Sequence, residues 1–174
     1  MPELTEPEPT KPELAQTERY GASASEISSQ TVLFVTVEEY FEVANAARED
    51  GFDQLIDLTA VDYLDYPGTR VRPAEVKPER FEVVVQLINH TSRERLGLRV
   101  QVPATEPTAP SLFDLWPGSE NLEREVFDMF GIEFAEHPDM SRILMPEDWI
   151  GHPLRKDFAV GEVPVQFSEA SAPR

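Results

Sequence analysis

The stretch FEVVVQLINHTSRERLGLRVQV, residues 81–102, decides the fold. Phe81, Val83, Val85 and Leu87 lie on one side of a period-two pattern, and Glu82, Val84, Gln86 and Ile88 lie on the other. Successive strand side chains point to opposite faces, so residues 81–88 are a strand with one wholly apolar face and one mixed face. The polar segment 89–97 reads as a turn. Leu98, Val100 and Val102 then alternate with Arg99 and Gln101 as a return strand. A face this apolar needs a second layer over it.

Working outward, residues 31–37 (TVLFVTV) are β-branched and aromatic, hence another strand. Thr36 and Glu39 have the spacing of a capping box that opens a helix. Val37, Phe41, Ala44 and Ala47 form its inward stripe, Glu38, Glu42, Arg48 and Glu49 face water, and Asp50-Gly51 stops it. Residues 55–63 (LIDLTAVDY) read as a strand in which Asp57 and Asp62 are out of keeping with burial. Edge or end positions, or backbone N–H partners, would account for them. Pro67-Gly68, Pro73 and Pro78 make residues 66–78 a loop. After a Pro/Thr loop at 103–110, Ser111 caps a short turn carrying Leu112, Leu115 and Trp116, which Pro117-Gly118 breaks. A helix follows from Ser119 or Asn121, with Leu122, Val126, Met129 and Phe130 inward and Gly131 at its end. The expected fold is α+β: a two-layer domain over residues 31–131, with a mostly antiparallel meander and helices on one face. Residues 1–30, acidic and rich in Pro and Ser, are expected to be a disordered leader.

The chain sets 15 basic residues against 33 acidic ones, a formal net charge of −18. That argues against a phosphate-binding surface for nucleic acid and against electrostatic docking to anionic lipid, and favours a basic protein partner or plain solubility. Without cysteine there is no disulfide, thiolate nucleophile or cysteine-ligated iron–sulfur cluster. No apolar run approaches the ~18 residues of a membrane span. The acidic N-terminal region matches neither a secretory signal nor a transit peptide, so the protein is expected to stay in the compartment where it is made.

Residues 121–158, NLEREVFDMFGIEFAEHPDMSRILMPEDWIGHPLRKDF, concentrate charge and aromatic side chains. Residues 132–174 form an expected extended arm and tail; Pro138, Pro146 and Pro153 forbid long regular elements in it. Fully extended, residues 132–158 span roughly 90 Å, enough to leave the domain. Three chemistries compete here. A metal site could draw on His137, Asp139, Glu147, Asp148, His152 and Asp157, but no pair of His shares a helix turn, and tying down loop carbonyls and N–H groups is the better use of them. Acid–base work by Glu123, Glu125 and Asp128 is opposed by geometry, since residues two apart on a helix do not share a face. A face on which Arg124 pairs with Glu120 and Asp128 explains them instead. Recognition fits best: Arg142, Arg155 and Lys156 are lone cations in an acidic segment, Trp149 and Phe158 are aromatic anchors, and Arg155 can fork onto a carboxylate. Truncation after Gly131, or Arg155→Ala, is expected to leave the domain folded and abolish assembly.

Glu123-Arg124-Glu125, then residues 128–132 (DMFGI), then His137-Pro138-Asp139, Ile143-Leu144 and residues 151–158 (GHPLRKDF) resemble the 30-kDa subunit of respiratory complex I. Asp62-Tyr63, Tyr66-Pro67 and Asp114-Leu115-Trp116 add to the likeness, which covers about residues 32–167. Ser141 stands where that family usually has a basic residue or Pro. The resemblance implies a subunit without redox centres or catalytic residues in the hydrophilic arm of NADH-quinone oxidoreductase. FMN, iron–sulfur clusters and quinone would reside in partner subunits. It would pack against the 49-kDa-like D subunit and near the B subunit, which carries the last cluster, on the cytoplasmic face of the bacterial plasma membrane. Interface residues would be Glu123, Arg124, Glu125, Asp128, His137, Arg142, Trp149, His152, Arg155, Lys156 and Phe158. The chain closes at Arg174, so a subunit separate from its larger neighbour is expected. The rivals are the homologous subunit of a hydrogenase-like or other electron-input variant, a stand-alone metal-dependent enzyme, and a free adaptor.

Overall fold

The computed structural model describes residues 17–159. Strands β1 (Thr17–Arg19), β2 (Ala22–Ile27), β3 (Gln30–Thr36), β4 (Gln54–Asp62), β5 (Phe81–Asn89) and β6 (Glu94–Val102) form one sheet in the order β1-β2-β3-β6-β5-β4. The hairpin read from the sequence is its centre. Phe81 faces Val102, Val83 faces Val100, Val85 faces Leu98 and Leu87 faces Leu96, so both strands put their apolar residues on one face. The return strand begins at Glu94, earlier than expected. The turn shrinks to residues 90–93 because the Asn89 side chain accepts from the N–H groups of Thr91 and Ser92, and Arg93 takes a φ of 62°.

The sheet is mostly antiparallel, as expected, but not a simple meander: β3 pairs with β6 in parallel, with Leu33 beside Leu98 and Val35 beside Val100. Helix α1 (Val37–Glu49) carries the chain from β3 to the far edge, where β4 starts in the same direction. The antiparallel strands β5 and β6 then step back until β6 meets β3. The expected disordered leader also holds two strands. Ala22 and Ala24 of β2 are buried, Ala24 faces Leu33, and Tyr20-Gly21, both at positive φ, turn β1 into β2. Residues 1–16 of that leader, and residues 160–174 of the tail, lie outside the described residues.

Both helices cover the apolar face. Helix α1 opens with the expected Thr36–Glu39 capping box and buries Tyr40, Val43, Ala44 and Ala47; Val37 and Phe41 pack only partly against the core. Helix α2 (Glu120–Phe130) buries Val126, Met129 and Phe130 in the same cluster. The mixed face lies under the loop of residues 63–80, where Arg70 binds Glu82 and Gln101. Strand β7 (Thr108–Pro110) pairs in parallel with β8 (Glu133–Ala135), Ala109 opposite Phe134. Ile132 and Phe134 are buried, so the first residues of the expected arm belong to the domain core.

Candidate subunit interface

Helix α2 organises the residues that the sequence singled out. Its first turn brings Glu123 inward, fully buried. The carboxylate accepts from Ser111 Oγ at 2.6 Å and Leu112 N at 2.8 Å, which fixes the chain entering α2. His137 Nε2 lies 3.9 Å from it and donates to Glu120 O at 3.0 Å, while His137 Nδ1 accepts from Asp139 N. This pattern is the neutral tautomer with the proton on Nε2. Burial pushes the Glu123 carboxyl above its usual range, against hydrogen bonds from Ser111 and Leu112 and the nearness of Ser119 and His137.

In its last turn, α2 presents Asp128, also fully buried. Its Oδ2 accepts from three successive backbone N–H groups, Ile143 at 3.1 Å, Leu144 at 2.8 Å and Met145 at 2.8 Å, and Oδ1 pairs with Arg142. Burial alone would raise this carboxyl, but the hydrogen bonds from Met145, Arg142, Leu144 and Ile143 prevail and hold it below the usual carboxylate range. The expected pairing of Arg124 with Glu120 and Asp128 is therefore wrong. Arg124 instead donates to Ser141 O and Oγ and to Arg142 O in the returning strap of residues 137–158, and Arg142 of that strap takes Asp128. Ser141 acts within its own chain.

The strap also closes the carbonyl end of α2. Gly131, at φ 68°, ends the helix and returns its N–H to Phe127 O. Asp128 O accepts from His152 Nδ1 and Arg142 Nη1, Met129 O from Leu154 N, Phe130 O from Arg155 Nε, and Gly131 O from Arg155 Nη2. Two arginines thus meet the negative end of the helix. Burial lowers the His152 pKa, in keeping with a neutral ring that donates from Nδ1. Past Arg155, Lys156 N donates to Asp62 Oδ2, a carboxylate that also holds Arg80 at 3.0 and 2.8 Å and Leu64 N. Burial works against the charged form of Asp62, yet these bonds bring its carboxyl down to about 2. Asp62 is the strand-end partner of backbone N–H groups that its position suggested, and Asp57 is exposed on the edge strand.

The picture of an arm that leaves the domain is corrected accordingly: residues 137–158 form a strap sewn onto α2 and β4. Within the chain, Arg155 forks onto two carbonyls at the end of α2. Trp149 and Phe158 stack on each other at 6.5 Å. Of the residues proposed to touch a partner, Glu125 and the Lys156 side chain face solvent. The strap instead turns outward Ile143, Leu144 (58 % exposed), Ile150 (90 %) and Leu154. Their signal in the sequence was an apolar content that a free loop does not carry. Among the described residues no three His, Cys, Asp or Glu side chains converge as metal ligands, and no helix is long and apolar enough to cross a membrane.

The sequence profile described as "Respiratory-chain NADH dehydrogenase, 30 Kd subunit" matches residues 33–163, which run from within β3 through both helices and the whole strap. The chain belongs to this family. Within the 30-kDa family it is 44 % identical over 148 residues to the C subunit of a Roseiflexus NADH-quinone oxidoreductase, covering 83 % of this chain and 79 % of that one. It is 46 % identical over 124 residues to NADH-quinone oxidoreductase subunit 5 of Thermus thermophilus, covering 68 % of this chain and 56 % of the relative, so it spans just over half of that protein's length. Among solved structures, a trypsin-resistant Nqo5 fragment superposes with a TM-score of 0.61 at 34 % identity, over 68 % of this chain and 89 % of the fragment. A chain of the membrane-bound sulfane sulfur reductase, an archaeal respiratory membrane complex, superposes at 0.58 over 94 % of this chain and 91 % of its own; at 21 % identity it shares the 30-kDa family's fold.

Proposed function

We propose that the chain is a structural subunit of the peripheral arm of a proton-pumping NADH-quinone oxidoreductase, without redox centres or catalytic residues of its own. Electrons would pass from NADH through FMN and iron–sulfur clusters to quinone in other subunits. Its neighbours would be the 49-kDa-like subunit and the subunit carrying the last cluster, and it would reach the cytoplasmic face of the plasma membrane through them. One observation carries this reading: within the family-matched region, Glu123, Asp128, Arg142 and Arg155 are engaged inside the chain, while Leu144, Ile150 and Leu154 of the same strap face outward. Side chains so engaged hold a shape, and exposed aliphatic groups on a tied-down strap suit a permanent interface. The test is purification of the tagged chain from gently solubilised membranes. The 49-kDa-like and last-cluster subunits and NADH-oxidising activity should co-purify; a chain recovered alone would refute the reading.

A further inference from the structure

The mixed face of the sheet and the loop of residues 63–80 enclose a second feature, away from the strap. A cavity of about 270 Å³ lies between them, lined by Ile27, Tyr63, Tyr66, Arg70, Val71 and Arg99 around Glu82, with Thr69 at its edge. Glu82 is the lining's single carboxylate, and it faces two guanidinium groups: Arg70 Nη2 at 3.0 Å and Arg99 Nη1 at 2.8 Å. Gln101 Nε2 and the Tyr63 hydroxyl also donate to Glu82, so its acceptor capacity is well used. Two cations against one anion leave this wall with a formal charge of +1, in a chain whose net charge is −18. Arg70 stacks on the Tyr63 ring at 3.7 Å, and its buried Nε has no hydrogen-bond partner among the described residues. Arg99 remains about one-third exposed (32 %). On the rim, Tyr66 (53 %) and Val71 (55 %) are exposed, and the Tyr63 and Tyr66 rings meet edge-on at 5.4 Å.

We propose that this cavity receives a carboxylate side chain, Asp or Glu, from a neighbouring subunit, with the apolar residues beside it resting on Tyr66 and Val71. This rests on the reading of the chain as a subunit. Charge complementarity selects the ligand class: fixed guanidinium groups in a half-enclosed site favour a carboxylate through charge-assisted hydrogen bonds. The exposed tyrosine and valine on the rim favour a carboxylate borne on a polypeptide over a free one, because a small anion would leave them wet. This surface is a second attachment point on the sheet face that the helices leave uncovered.

The experiment uses the assembled complex and the full chain. A photoreactive phenylalanine analogue at Tyr66 should cross-link, on illumination of the purified complex, to another subunit at a peptide containing Asp or Glu. Arg99→Glu should lower recovery of the chain with the complex by about tenfold or more. Arg99→Lys, which keeps the charge, should retain most of the recovery. If Arg99→Glu proves unfolded, Val71→Asp on the exposed rim replaces it, with the same loss expected. Cross-links confined to this chain, or undiminished recovery of a folded Arg99→Glu protein, would overturn the proposal. A free-carboxylate site would show as millimolar glutarate shifting the Arg99 Nε–H resonance of the isolated chain while Tyr66 cross-links to no other subunit, and that result also overturns it. Failure of the wild-type chain to co-purify would instead refute the subunit reading, so the two failures are distinguishable.

Discussion

Asp128 sits where three successive N–H groups and one guanidinium converge. The carboxylate does for residues 143–145 what a neighbouring strand would do: it satisfies backbone donors that have no ladder to join. Asp128→Asn keeps the size but turns a donating amide towards donors and strands the Arg142 charge. We expect a loss of about 3 kcal/mol in urea unfolding, the scale for breaking a buried pair from one side. The Asp62 carboxyl, at about 2, lies below its unfolded value of roughly 3.9. A depressed folded-state pKa means the unfolded chain binds the proton more tightly. The stabilisation is thus full above about pH 4 and fades as pH falls towards about 2, by about 2–3 kcal/mol in all. Urea midpoints measured across that window should fall with acid in the wild type and flatten in Asp62→Asn. Glu123 has the opposite sign: its raised carboxyl favours the folded state below the unfolded pKa, and that contribution is lost as pH rises through the folded value. The advantage of the wild type over Glu123→Gln should accordingly be largest in acid.

Helix α2 and the strap form one element in two pieces. Carbonyls at positions 128–131 are satisfied by residues 142–155, so the helix end and the strap should loosen together. Gly131 is the pivot, since its φ of 68° suits glycine and a Cβ there would lie 2.5 Å from His152 Nε2 and 2.6 Å from Arg155 Nη2. We expect Gly131→Ala to cost about 2 kcal/mol, from backbone strain and displaced capping groups together. Hydrogen exchange checks the location: the Leu154 and Lys156 amides should lose protection while the β5 and β6 amides keep theirs. The strap also changes what truncation does. Cutting after Gly131 removes Ile132 and Phe134 from the core and the strap's caps from α2, so the remainder should not fold, contrary to what the sequence suggested. Arg155→Ala likewise tests stability before it tests assembly.

At the scale of the whole molecule, what the sequence revealed was local and periodic. The 81–102 hairpin, the Thr36–Glu39 box and the glycine stops were legible because each is decided within about ten residues by side-chain spacing. The β3–β6 pairing was not, since its partners lie some 65 residues apart and no local pattern encodes which strand a crossover will meet (Thr31 with Leu96, for example). Strand β2 was hidden because Ala22, Ala24 and Ser25 carry too little apolar signal to announce burial. The charged residues of α2 and the strap misled for a related reason: a sequence displays charge but not its partner, and Asp128 finds its donors 14 to 17 residues downstream. The strap itself leaves four aliphatic side chains exposed for a neighbouring chain, Ile143, Leu144, Ile150 and Leu154. Leu144 and Ile150 stand exposed on a strap whose backbone is already fixed, so burying them on assembly requires little further ordering. Each fully buried aliphatic side chain contributes about 1.5–3 kcal/mol, whereas replacing it on the free surface changes folding by no more than about 0.5 kcal/mol. Leu144→Ser combined with Ile150→Ser should thus leave the urea midpoint of the isolated chain unchanged, while recovery with the membrane complex drops at least about tenfold. Undiminished recovery of the double variant would place the main interface elsewhere on the molecule, with the Arg70–Arg99 cavity as the next surface to test.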